Sequence, residues 1–264
     1  MIKFIKAICI IAVLTLAVLL VPGSLAYSND MLFQTSPISA LQQGVFDGNM
    51  TFKDLRAYGD FGLGTVQALD GEMVELDGQF YQVKSNGLAY RLNDSTKTPF
   101  AEVTFFKPDE TVALSGTFNL TQLGEYLDSR LNTTNIFYAI RIDDTFDYVK
   151  TRSVPIQSKP YPTLAEAVED QKIFEFHNIT GTIVGFRCPA YINGVNVPGY
   201  HMHFLTSNRS TGGHLLDFEL KNASIKVDKL YDFEMALPNN DEFNNADLSG
   251  NQQASLATVE SNPK

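Results

Sequence analysis

Three of the four histidines in this chain, His201, His203 and His214, fall within fourteen residues of one another. His201 and His203 are two apart, so on an extended strand both imidazoles leave the same face. Asn208 to Gly213 reads as a turn, and His214-Leu215-Leu216-Asp217-Phe218 then opens a second apolar run. If the two runs pair as a hairpin, His214 returns beside the first two. Three neutral imidazoles converging on one point, with room left for water, make the ligand set of an open catalytic zinc site. Zinc is the first choice because imidazole suits it, while ligand type alone leaves copper, nickel, iron and manganese open.

A single histidine beside apolar residues is ordinarily a satisfied core or surface residue. Clustering of a scarce residue type at strand spacing is what favours a metal here. A cupin-like site also uses His-x-His on a strand, but places a Glu a few residues later. In this chain that position falls in Thr206 to Arg209, which holds no carboxylate. Asp217 lies three residues from His214 and on a strand faces the other way.

The start of the chain indicates export. Met1 to Lys6 is short and basic, Ala7 to Val21 is apolar, and Pro22-Gly23-Ser24-Leu25-Ala26 supplies small residues for a cut after Ala26. This is the pattern of a secretory signal over residues 1–26, too short for a comfortable membrane span. The rival is an uncleaved anchor. Removing the signal takes Cys9 with it and leaves Cys188 alone, so the mature protein has no internal disulfide. Losing Lys3 and Lys6 shifts the formal charge from −10 to −12. An exported acidic chain has no electrostatic case for nucleic acid or anionic lipid, and no stable membrane partner is expected after cleavage.

The remaining sequence has enough Val, Ile, Leu and Phe for one large or two modest cores. Its elements suggest duplication. Thr51 to Arg56 reads as a short capped helix before a strand at Phe61 to Val66. Thr163 to Val168 repeats that arrangement before Phe174-Glu175-Phe176 and Gly181 to Val184. Further strands are separated by Gly and Asn turns. Leu120 to Leu131 is expected to be a helix, and Asn135 to Ile142 a strand. The expectation is an α+β protein of two related units, each a bent mixed or antiparallel sheet with packed helices. The units would span 27–150 and 151–238, the second carrying the histidines. The polar tail, 239–264, would return to the active site, with an amphipathic helix from Asp247 to Val259.

Five strings occur in order along the chain. They are Gly59-Asp60-Phe61-Gly62-Leu63-Gly64-Thr65 with Leu69-Asp70-Gly71-Glu72, Thr98-Pro99-Phe100-Ala101, Thr151-Arg152-Ser153-Val154-Pro155, the His201 to Phe218 block, and Val259-Glu260. Together they resemble the acetolactate decarboxylases, over nearly all of the chain from Leu32 to Glu260. The resemblance implies an α/β-rich homodimeric enzyme with zinc on His201, His203 and His214. It further implies that Glu72 and Glu260 reach the metal, with Thr65 and Arg152 nearby. Taken alone, Glu72 would be a solvated turn carboxylate and Arg152 a surface residue.

The implied chemistry suits those residue types. Loss of CO2 from acetolactate, giving acetoin, leaves an electron pair that the adjacent ketone accepts as an enediolate. Zinc chelated by the ketone and hydroxyl oxygens can hold that charge, replacing thiamine diphosphate, for which the sequence has no convincing motif. Arg152 can clamp the carboxylate in two-pronged fashion and is a candidate proton donor, though a guanidinium is a weak acid. Glu72 or Glu260 could relay a proton or orient the hydroxyl. Two other classes use the same histidines: a secreted metal-dependent hydrolase with Glu72 as base, and a noncatalytic metal-binding protein.

Overall fold

The computed structural model describes residues 30–250, Leu256 and Val259. The expected signal at 1–26 and Glu260 lie outside the described residues. In chain order the strands begin with β1 (Met31–Thr35), β2 (Met50–Thr51), β3 (Phe61–Thr65), β4 (Glu72–Leu76), β5 (Gln79–Val83), β6 (Ala89–Arg91), β7 (Lys97–Thr98) and β8 (Ala101–Thr104). They continue with β9 (Glu110–Ala113), β10 (Thr117–Phe118), β11 (Phe137–Ser153), β12 (Lys172–Cys188), β13 (Gly199–Thr206), β14 (Gly212–Lys221), β15 (Ser224–Leu230) and β16 (Asp232–Ala236). The short helices are α1 (Ile38–Gln42), α2 (Phe52–Leu55), α4 (Leu164–Glu169) and α5 (Asp241–Asn245), with α3 (Leu120–Arg130) the longest.

The result is an α+β fold carried by two seven-stranded sheets. The first runs β16–β1–β8–β3–β4–β5–β6 and is mixed, because β1 and β16 are parallel. The second runs β10–β14–β13–β12–β11–β15–β9 and is antiparallel, with β14 also pairing β11. That extra pairing closes β11, β12, β13 and β14 into a ring. Inside it Ile142, Phe146, Ile183, Phe204, Leu215 and Phe218 pack together, each such burial being worth about 1.5–3 kcal/mol over exposure. Leu123 and Leu127, four apart on α3, join the same core. Phe61, Leu63, Val74 and Leu76 of the first sheet meet Ala139, Val184, Phe186 and Leu205 of the second, making the layer between the sheets.

The short helices start where local chemistry dictates. Thr51 accepts from the Asp54 amide, and Thr163 forms a reciprocal capping box with Glu166. The position expected to divide two units, residues 150 and 151, instead falls within β11, whose pairing with β12 continues through Lys150, Thr151 and Arg152. The chain passes from the first sheet to the second between Thr104 and Glu110, and β16 returns to the first. β11 and β12 are each 17 residues long. Asn178, at φ +51°, interrupts the alternation of β12 without ending it. A register shift opposite Lys150 and Thr151 leaves Leu216 as the extra residue of β14, while β11 itself runs on unbroken against β12.

Glu75, on the face of β4 away from the second sheet, is fully buried, and neither carboxylate oxygen has a hydrogen-bond partner among the described residues. Burial, reinforced by nearby Asp60 and only partly offset by Arg56, holds its pKa well above the ordinary 4.5. The folded protein therefore keeps a proton here that the unfolded chain releases, so stability is greatest below that ordinary value and declines as pH rises above it. Glu75→Gln removes this dependence. The stability difference between variant and wild type should grow by up to about 1.4 kcal/mol per pH unit between that ordinary value and the raised pKa of the folded protein. Denaturant unfolding at pH 5 and pH 7 measures it, and an unchanged difference would show that Glu75 is not a buried neutral acid.

Candidate metal centre

The expected hairpin forms. β13 carries His201 and His203 on one face, and His203 lies directly across from His214 on β14. Gly212 permits this approach, because a Cβ there would lie 2.1 Å from the Phe204 carbonyl oxygen. Gly213, at φ +136°, lets β14 come equally close to β11, where a Cβ would lie 2.5 Å from the Arg152 carbonyl oxygen. All three imidazoles are buried, with ring centroids 5.2, 5.2 and 5.3 Å apart. One potential ligand atom from each lies within 4.8 Å of the others.

Two of the rings are fixed from behind. The His203 Nδ1 lies 2.8 Å from the Met73 carbonyl oxygen, to which its N–H donates. The His201 Nδ1 lies 3.1 Å from the Glu102 Oε1, a carboxylate that serves as acceptor. With Nδ1 so engaged, each ring is left to offer Nε2 as a lone-pair donor. Burial, with the neighbouring His201 and Arg152 adding to it and the Met73 bond opposing it, drives the His203 pKa well below its usual 6.5. The neutral form, which is the ligating form, thus prevails at neutral pH. This donor set fits a divalent metal of the imidazole-preferring kind.

The rest of the site comes from both sheets. Arg152, on β11, is the register partner of His214, and its buried Nε has no acceptor among the described residues. Thr65 on β3 faces Glu72 on β4, and the Thr65 hydroxyl donates to the Gly71 carbonyl at 2.7 Å, bracing the turn before Glu72. Glu72 is buried, with Oε2 at 3.7 Å from the His203 Nε2. All six residues line one cavity of about 40 Å³. Its remaining wall is apolar, formed by Ile38, Leu41, Leu69, Phe100, Val154 and Leu164. The cavity therefore sits where the ends of the two sheets meet, joining a guanidinium, a carboxyl group and three imidazoles.

Glu260 is outside the described residues, but its neighbour Val259 and nearby Leu256 are helical, 4% and 3% exposed, and packed in the cluster that supplies the cavity's apolar wall. Asp217 turns away as expected, its Oδ1 accepting from the Leu120 and Phe218 amides. Residue patterns did not single out Glu102. The available signal was a carboxylate placed within Ala101-Glu102-Val103-Thr104, a strand whose every residue is buried.

A family model described as alpha-acetolactate decarboxylase matches residues 32–250. The alpha-acetolactate decarboxylase of Methanosarcina mazei is 50% identical over 241 residues, covering 91% of this chain and 84% of the relative. That of Methylococcus capsulatus is 44% identical over 236 residues, covering 89% of this chain and 91% of the relative. The crystal structure of alpha-acetolactate decarboxylase from Bacillus subtilis superposes with a TM-score of 0.86 at 39% identity, covering 88% of this chain and all of that one.

Proposed function

This chain belongs to the alpha-acetolactate decarboxylase family of carboxy-lyases, and from that premise we propose that it turns acetolactate into acetoin using one divalent metal, zinc, on His201, His203 and His214. The observation that carries this reading is the convergence of three buried imidazoles, Arg152 and Glu72 on a single cavity. A bound metal would supply Lewis-acid stabilisation of the charge that builds on the substrate oxygens as CO2 leaves.

The chain's own residues do the rest. Arg152 presents a buried guanidinium to the substrate carboxylate, holding the bond to be broken in a fixed orientation. When that bond breaks, its electron pair moves into the adjacent ketone and CO2 departs. The carbon then takes a proton to give acetoin. Glu72, beside the histidines, holds the substrate hydroxyl or passes its proton, with Glu260 as the second carboxylate for that exchange. Thr65 holds the turn that positions Glu72. The apolar wall accepts the two methyl groups and keeps bulk water from competing for the proton.

The test is acetoin formation from racemic acetolactate by the purified chain, repeated after chelation and after zinc is restored. Metal-dependent acetoin well above the spontaneous rate is expected. Full metal occupancy without acetoin would defeat the reading and direct attention to hydrolysis or metal storage.

The tail belongs to this reading through Val259. A carboxylate at that position would place a charge in an apolar cluster, displacing the segment that leads to Glu260. Val259→Asp is expected to lower turnover about a hundredfold, within the range for losing a proton-handling group, with little change in circular dichroism. Wild-type turnover would separate the tail from the chemistry. Export rests on the basic and apolar start of the sequence, and a homodimer on the family; a mature N-terminus at Tyr27 and sedimentation at twice the chain mass would bear these out.

A further inference from the structure

We propose that Glu102, Asn196 and Gln34 form a buried relay that positions His201 as a metal ligand; this rests on the three-histidine metal reading. Glu102 lies on β8, in the first sheet, while His201 lies on β13, in the second. The two meet across the sheet interface with the His201 Nδ1 at 3.1 Å from the Glu102 Oε1. The other carboxylate oxygen accepts from the Asn196 Nδ2 at 2.6 Å. Glu102 and Asn196 are each 0% exposed. Asn196 sits in the segment that enters β13, five residues before His201. Gln34, also fully buried, is the register partner of Glu102 across β1 and β8. Its Nε2 donates to the carbonyls of Val195 and Ser36, both at 2.7 Å, tying down the segment that bears Asn196.

A carboxylate removed this completely from water is costly unless each oxygen receives a hydrogen bond and its charge meets a compensating one. Asn196 and the His201 N–H provide the hydrogen bonds. A metal on the opposite nitrogen of the same ring provides the charge. In return the carboxylate fixes the tautomer, aims Nε2 and makes the imidazole a stronger donor. Among the described residues the His203 Nδ1 is backed by the neutral Met73 carbonyl, so the two strand-mates are unequal ligands and His201 is the one tuned by charge. A purely structural role, joining β8 to β13, would instead stabilise the metal-free fold and leave metal affinity alone.

The experiment uses the full chain and its Glu102→Gln, Glu102→Asp, Asn196→Ala and His201→Ala variants. Zinc affinity is measured by competition with a chromogenic chelator, the visible spectrum is recorded after cobalt loading, and unfolding is followed without metal. A glutamine at 102 must turn an NH2 toward either His201 or Asn196, so one link breaks. Glu102→Gln is expected to weaken zinc binding about 10–100-fold and to shift the cobalt spectrum. Asn196→Ala should move both in the same direction by less, and Glu102→Asp should recover part of the loss. If wild type binds zinc and the folded variants match its affinity and spectrum, the relay is overturned. Should Glu102→Gln fail to fold, Glu102→Asp and Asn196→Ala decide by the same readouts. A wild-type chain that binds no zinc, and so matches His201→Ala, would overturn the metal reading itself.

Discussion

His203→Ala is expected to lower metal-dependent acetoin formation by at least about a thousandfold, because the lost stabilisation of substrate charge amounts to several kcal/mol. His203 is the central member of the triplet. It faces His214 across the hairpin, shares a strand face with His201, and has its tautomer set by Met73. Its strand neighbours Met202 and Phe204 cannot replace it, since they pack in the core on the opposite face. The remaining two imidazoles form a site with too few protein ligands for tight binding. Loss of bound zinc by elemental analysis should therefore accompany loss of turnover. Acidification should act in the same direction. The His203 pKa is depressed, so its neutral form is secure at neutral pH, and protonation competes with metal only well below the usual 6.5. A variant that keeps a full equivalent of zinc and near wild-type turnover would remove His203 from the centre.

Arg152→Met should reduce kcat/KM about a thousandfold, and Arg152→Lys should restore part of it. Two charge-assisted hydrogen bonds from one guanidinium to one carboxylate contribute about 1.5–3 kcal/mol each. Lysine keeps the charge but not the fork. Methionine approximates the length of the side chain, so the comparison isolates the guanidinium rather than a cavity. The residue is buried beside His214, with an Nε that has no acceptor among the described residues, an arrangement suited to an incoming anion. A clamp that acts equally before and during bond cleavage appears mainly in KM, whereas proton delivery by the same group appears in kcat and in the enantiomeric purity of acetoin. Steady-state kinetics with chiral chromatography separate these. An unaltered KM together with unaltered kcat in Arg152→Met would end any role for it at the site.

The sequence by itself determined whatever depends on neighbours along the chain. The two-residue spacing of His201 and His203 dictates a shared strand face, and the turn before His214 dictates its return, so the triplet was legible from local periodicity. The caps at Thr51 and Thr163 placed α2 and α4 for the same reason. Strands were harder to read where alternation breaks, as at the extra residue Leu216 in β14 and at the positive φ of Asn178 in β12. Arg152, Glu72 and Thr65 stood out only through resemblance; as isolated residues Arg152 read as a surface residue, Glu72 as a solvated turn carboxylate and Thr65 as the start of a strand. Tertiary structure alone decided that β3 and β4 of one sheet face β11, β12 and β13 of the other across a buried layer. That packing puts Glu72 3.7 Å from His203 and gives His201 the Glu102 carboxylate from ninety-nine residues away. Periodicity states which side of a strand a residue occupies, whereas the side chain it will meet there is fixed only when two sheets bury their apolar faces against each other.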